Sequence, residues 1–336
     1  MRVVELTDGF LAFDLDCMHS VGGTRLALDV TREETALIAR AMTYRHAVLG
    51  RRIGGAGATL RAEPESRARV ISRYVEEIHP LADRRSFLTV PDLGTRPEDF
   101  HALPAPTSAG GSDPVDDGPG TAAGGRSPAA TALGVVAAAE IALGGLRGRT
   151  AAIEGFGVIG SAVAAALAAR GCRVVAVSTR HGSVRSPSGL DVPGLIALRE
   201  RYGAAWPGHA SLAVHPPAAL FTVPADLLVP AARTGVLDED RSAGLDVAAI
   251  APAAHAPYTE AGLEVLRRRG VVALADFVCN AGAGLGPQAG RTVADLTLRT
   301  LRHDQGPYAG ARELAEDFLR TWLPPAALPV APPLAP

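Results

Sequence analysis

The 336-residue sequence contains no lysine, and arginine supplies all 33 of its basic side chains. Chemistry that needs a titrating lysine amine is therefore excluded, because an arginine guanidinium stays protonated at any ordinary pH. Cysteine is nearly absent. Cys17, Cys172 and Cys279 are far apart with no CxxC pair, so neither a disulfide framework nor a cysteine-rich zinc site is supported, and a reducing cytoplasm is expected. No long apolar run occurs, since the most apolar stretch, residues 129–146, is broken by Glu140 and several glycines. The opening residues lack a basic segment followed by a long apolar one, so neither export nor a membrane span is expected. With a net charge of −2, neither a broadly basic nucleic-acid binder nor a disordered acidic chain fits. What remains is a 47% hydrophobic chain, long enough at roughly 150 residues per domain for about two globular domains.

Proline and glycine concentrate at residues 103–128 and 324–336, which read as a linker and a loose proline-rich tail. Period-two alternation around Phe10–Asp14 and Leu26–Val30, with Gly22-Gly23 between, predicts a hairpin. Thr31-Arg-Glu-Glu34 reads as a capping box opening a helix that stops at Gly50. Strands are expected at 54–60 and 87–90 with a helix at 64–80 between them, giving a mixed α/β first domain over 1–127. Ser127-Pro128 reads as the cap and first residue of an alanine-rich helix. Beyond it, strand and helix signals alternate through 128–290, as in a doubly wound parallel sheet of Rossmann type. Helices at 291–302 and 308–322 are expected to pack back on the first domain, with 291–323 as a C-terminal segment.

Gly155-Phe156-Gly157-Val158-Ile159-Gly160 follows an apolar strand and opens a helix, and a second strand ends about 20 residues later. This is the context in which GxGxxG binds a dinucleotide. The first glycine permits the tight turn, the second lets backbone approach the pyrophosphate, the third lets helix and strand close together, and the helix N-terminus attracts phosphate. At the second strand's end, where NAD binding favours a carboxylate, the chain reads Ser178-Thr179-Arg180. Hydroxyls and a guanidinium without a carboxylate favour NADP, with NAD possible; the alternative is an ordinary solvated loop arginine. His46, His255 and His303 are irregularly spaced without a carboxylate cluster, so no metal site is expected.

The stretch from Ala41-Met-Thr-Tyr-Arg45 to Gly54-Gly-Ala-Gly57 resembles the substrate-domain signature of the Glu/Leu/Phe/Val dehydrogenases. Supporting similarities in chain order are Gly22-Gly-Thr-Arg25, Pro91-Asp-Leu-Gly94, Thr131-Ala132, Ala225-Asp-Leu-Leu-Val-Pro-Ala-Ala232 and Asp276-Phe-Val-Cys-Asn280. Chain length and signature spacing resemble the leucine and valine branch. The resemblance implies two domains with an active-site cleft between them, and hydride transfer between a nicotinamide and the α-carbon of an amino acid or its imine. It makes Asp92 the catalytic carboxylate and Gly23, Arg45 and Gly57 substrate-site positions. It adds Thr131, Ala231, His255 and Asn280 to the cofactor site, and implies a homo-oligomer, dimer or larger. Family members place one lysine where Arg45 stands, to bind the substrate carboxylate, and another at the position of Gly57, for the water and ammonia steps. Arg45 can still pair with a carboxylate. Gly57 can do no acid–base chemistry. The expected function is thus an oxidoreductase acting on a C–N bond whose substrate is amino-acid-like or already an imine; the alternative is a catalytically silent relative that binds a nucleotide or small ligand.

Overall fold

This computed structural model describes residues 1–17, 19–104, 127–329 and 333–335, so most of the expected 103–128 linker lies outside the described residues. The chain divides into two compact units, one of residues 1–126 and 312–333, the other of residues 127–311 and 334–336.

The first unit begins with β1 (Arg2–Leu6) and β2 (Gly9–Phe13), followed by β3 (Ser20–Ala27), α1 (Arg32–Val48), β4 (Gly54–Arg61), α2 (Arg67–Asp83) and β5 (Phe87–Pro91). The sheet order is β1-β2-β4-β3-β5. The hairpin lies between β1 and β2, not where the sequence predicts it. Gly22 and Gly23 sit inside β3, which pairs in parallel with β4 and β5. The reason is close backbone approach: a Cβ on Gly22 would fall 1.8 Å from the Ala56 carbonyl oxygen. A glycine pair inside a strand serves close packing as readily as a turn.

Helix α1 starts as its cap predicts, with the Thr31 hydroxyl accepting from the Glu34 N–H at 3.0 Å. It covers one sheet face so tightly that a Cβ on Gly55 would meet the Ala39 carbonyl at 2.0 Å. On the other face Leu11, Phe13, Ala58, Leu60 and Phe87 pack against Val70, Ile71, Tyr74 and Ile78 of α2. Burial pushes the Tyr74 hydroxyl up to about 12.

The second unit contains α3 (Pro128–Leu143), β6 (Thr150–Glu154), α4 (Val158–Ala169), β7 (Arg173–Thr179), β8 (Gly182–Arg185) and α5 (Val192–Tyr202). It continues with β9 (Ala225–Pro230), α6 (Glu239–Gly244), β10 (Val247–Ile250), α7 (Glu260–Arg268), β11 (Val272–Ala273), α8 (Asp276–Cys279) and α9 (Ala289–Thr300). The last helix, α10 (Pro307–Arg320), begins in this unit and ends in the first. The sheet runs β11-β10-β9-β6-β7-β8, parallel except for β8. The chain therefore winds outward in both directions from β6, a doubly wound Rossmann-type sheet whose switch point lies at the ends of β6 and β9.

Of the two C-terminal helices expected to pack back on the first domain, α10 groups with the first unit from residue 312 onward, whereas α9 does not. Helix α9 packs on α3 in the second unit, because Gly134 leaves room for Val293. The tail is not loose throughout, since the Ala335 N–H donates to the Tyr258 carbonyl at 2.9 Å and pairs beside Thr259.

Candidate active site

The phosphate turn is assembled from backbone. Gly155 has φ +96°, and a Cβ there would also strike the Ala232 Cβ at 2.6 Å. A Cβ on Gly160 would fall 1.9 Å from the Gly155 carbonyl, so helix and turn close only over glycine. Gly157 caps α4, and a Cβ there would meet nothing within 4 Å. The amides of the first α4 turn have no intrahelical acceptor. Together with the open flank at Gly157, where Val158 is exposed and Ile159 half-buried, they form a cradle that fits a phosphate. Phe156 anchors it from behind: its N–H donates to the Ser178 carbonyl at 2.6 Å, and its buried ring meets Trp206 edge-on at 5.5 Å.

At the ribose end the three expected residues differ. Ser178 is buried, and its carbonyl holds the turn. Thr179 is also buried; its hydroxyl donates to the Ala204 carbonyl at 2.9 Å and accepts from the His181 N–H at 3.1 Å. Only Arg180 is presented to solvent, in the tight turn between β7 and β8, with its Nε donating to His181 Nε2 at 3.0 Å.

The other expected cofactor residues lie in the same unit. The Ala231 N–H donates to the Glu154 carbonyl at 2.7 Å. The buried His255 lies beside Ala256, whose φ of +44° is held by the buried Asp276 carboxylate accepting its N–H at 2.9 Å. Asn280 reaches the same loop, donating its Nδ2 to the Ala254 carbonyl at 3.3 Å. Thr131, in the first turn of α3, donates its hydroxyl to the Ser127 carbonyl at 3.4 Å.

In the first unit the α1-facing side of the sheet carries Gly23 and Gly57, two of the positions expected at the substrate site. Gly23 and Gly57 are register partners. A Cβ on Gly23 would fall 2.8 Å from Asp92 Oδ2, and that oxygen accepts from Arg25 Nε at 3.0 Å. Arg25 also pairs with Glu34 at 3.4 Å. Position 57 faces α1, where a Cβ would meet Ile38 Cγ2 at 3.0 Å and the Ala39 nitrogen at 3.3 Å. Arg45, buried in the last turn of α1, stands seven residues past Ile38, about 10 Å along the helix at 1.5 Å per residue.

Sequence reading did not single out Arg25 and Glu34, which stand paired beside the expected Asp92, nor Glu154 and Arg233 beside the glycine turn. Arg25 had a signal: it stands two residues after Gly23, so both face the same side of β3. Glu154 and Arg233 had none beyond adjacency to the turn and to β9. Burial pushes the Cys172 thiol up to about 11 and that of Cys279 well above its ordinary value, so neither offers a thiolate. No group of three metal-ligating side chains occurs among the described residues, nor a helix long and apolar enough to cross a membrane.

The family model described as Glutamate/Leucine/Phenylalanine/Valine dehydrogenase matches residues 124–285, and that of the Glu/Leu/Phe/Val dehydrogenase dimerisation domain matches residues 7–108. An NADP-specific glutamate dehydrogenase A1 from Halobacterium salinarum is 30% identical over 279 residues, which is 78% of this chain and 66% of that protein. A hetero-hexameric glutamate dehydrogenase from Thermus thermophilus, solved in a leucine-bound form, superposes with a TM-score of 0.67 at 26% identity, covering 93% of this chain and 76% of that one. An L-tryptophan dehydrogenase from Nostoc punctiforme shares the fold, with a TM-score of 0.59 at 20% identity, over 96% of this chain and 97% of that one. The chain thus spans about two thirds of the length of the curated relative and nearly all of the tryptophan enzyme.

Proposed function

The chain belongs to the Glu/Leu/Phe/Val dehydrogenase superfamily, and from that premise we propose that it is an NADP-dependent oxidoreductase of amino-acid dehydrogenase type that reduces an amino-acid-like imine. The observation that carries this reading is that Asp92 and Arg25 stand paired beside Gly23, while register partner Gly57 offers no amine and faces Ile38 and Ala39. Proton delivery to nitrogen retains its carboxylate. Activation of water for hydrolysis of an iminium does not retain its base, and no lysine elsewhere can substitute.

The cradle at Gly157 fits the pyrophosphate of the cofactor, and Arg180 suits a 2′-phosphate. When bound, the reduced dinucleotide supplies the hydride taken up by the carbon of the C=N bond. Asp92 gives the substrate nitrogen its proton and is reprotonated from water. Arg45 pairs with the substrate carboxylate. The match to a dimerisation domain supports a homo-oligomer.

Calorimetric titration tests the cofactor reading. NADPH is expected to bind more tightly than NADH, and Arg180→Ser is expected to erase the difference. Equal affinities in the unaltered protein would overturn the NADP assignment. If NADPH binds but no imine, ketone or amino acid turns over, the silent-relative reading replaces the enzyme.

A further inference from the structure

Beside the phosphate turn lies a charged pair that the proposed mechanism does not use. Glu154, the last residue of β6, is 4% exposed. Its Oε2 accepts from the Ala232 N–H at 3.1 Å and its Oε1 from Arg233 Nε at 3.0 Å. The segment it holds is pressed against the turn, since a Cβ on Gly155 would meet the Ala232 Cβ at 2.6 Å. The Arg233 side chain is 55% exposed, and its two Nη groups make no hydrogen bond among the described residues.

A buried carboxylate one residue before a phosphate-binding turn is an electrostatic problem, because it would repel the anion that the α4 amides attract. The arrangement answers it twice. Arg233 balances the Glu154 charge through Nε, and its remaining donors stay solvated at the sheet's switch point. Glu154 holds the guanidinium at Nε, so less freedom is lost when an anion takes the Nη groups.

We propose that Arg233 is a cationic ligand for the pyrophosphate of the bound dinucleotide, oriented by Glu154. The inference rests on the dinucleotide-binding reading and adds to it a side chain from the β9 loop, in a chain with no lysine to serve. Substrate carboxylate is the competing anion, and the experiment separates the two.

NADPH affinity is measured by calorimetry, without substrate, for the unaltered protein and for Arg233→Met, Glu154→Gln and the double variant, each checked for its melting transition. Arg233→Met is expected to weaken NADPH about tenfold to a hundredfold and to flatten its salt dependence, as loss of a charge-assisted bond requires. Binding of adenosine 2′-monophosphate, which has no pyrophosphate, stays unchanged. The same loss persists in the Glu154→Gln background. Recovery of full affinity in the double variant would reduce Arg233 to a counter-charge for Glu154 and overturn the proposal. Unchanged NADPH affinity in Arg233→Met would also overturn it, including the case where only the substrate KM rises. If the unaltered protein binds no dinucleotide, the underlying reading falls and this inference with it; binding by the unaltered protein isolates failure to Arg233.

Discussion

The turn at Gly155–Gly160 and the face around Gly23 and Asp92 solve different problems with different materials. The turn in the second unit presents backbone amides and requires only that Gly155 and Gly160 carry no Cβ, with the flank at Gly157 left open. The face in the first unit depends on side chains, and position 57 there has none. Anion binding built on backbone tolerates a chain without lysine. Acid–base chemistry built on a titrating amine does not, and arginine cannot repair it, because its charge is permanent. The contrast predicts retained cofactor binding beside altered chemistry.

The sharpest test of that separation is Asp92→Asn. Turnover of an imine substrate is expected to fall by about 10²–10⁴-fold, as for loss of a positioned proton donor, while NADPH affinity measured by calorimetry stays constant. Equal turnover would make Asp92 merely the partner of Arg25. The converse test is Gly160→Ala, which forces a Cβ to 1.9 Å from the Gly155 carbonyl. It is expected to cost about 3 kcal/mol of stability by denaturant unfolding and to abolish measurable NADPH binding.

Asp226 controls for effects on the sheet away from the turn. It accepts from the Thr150 N–H and hydroxyl at 2.8 Å each and from Arg149 at 2.9 Å, at the opposite ends of β6 and β9. Burial alone would raise its carboxyl, but these hydrogen bonds prevail and hold it below the ordinary 3.8. A lowered folded value means the stabilisation is fully present above 3.8 and is lost as pH falls through the folded value. Asp226→Asn is therefore expected to cost about 2 kcal/mol at pH 7, to flatten the acid limb of the stability profile and to leave NADPH affinity unchanged. The smallest effect belongs to Gly57→Ala, whose Cβ presses on Ile38 at 3.0 Å. Thermal unfolding should show a loss of about 1 kcal/mol; a loss several times larger would mean that Ile38 cannot yield.

The parts of the site that could be read in advance are those in which neighbours in sequence are neighbours in space. The cap at Thr31 and the cradle at Gly157 each occupy one turn of chain, so residue types and spacing sufficed. Gly22-Gly23 misled because a glycine pair has the same composition in a hairpin turn as in a strand pressed against backbone, and only the position of Ala56 distinguishes them. The Arg25–Asp92 pair joins positions 67 residues apart through parallel pairing of β3 and β5, a register that local periodicity does not contain. Thr179 matched the motif in type, but its hydroxyl is committed to Ala204, a partner supplied by the segment after α5.

Hydride transfer to a C=N bond is proposed to survive where hydrolysis of an iminium does not. It is tested by assaying one preparation in two directions: NADPH-dependent reduction of a preformed cyclic imine bearing a carboxylate, and NADP-dependent deamination of leucine, valine, phenylalanine and glutamate. Measurable reduction is expected, with deamination lower by at least about 10²-fold, the contribution of a general base. Robust deamination of any of the four amino acids would contradict it.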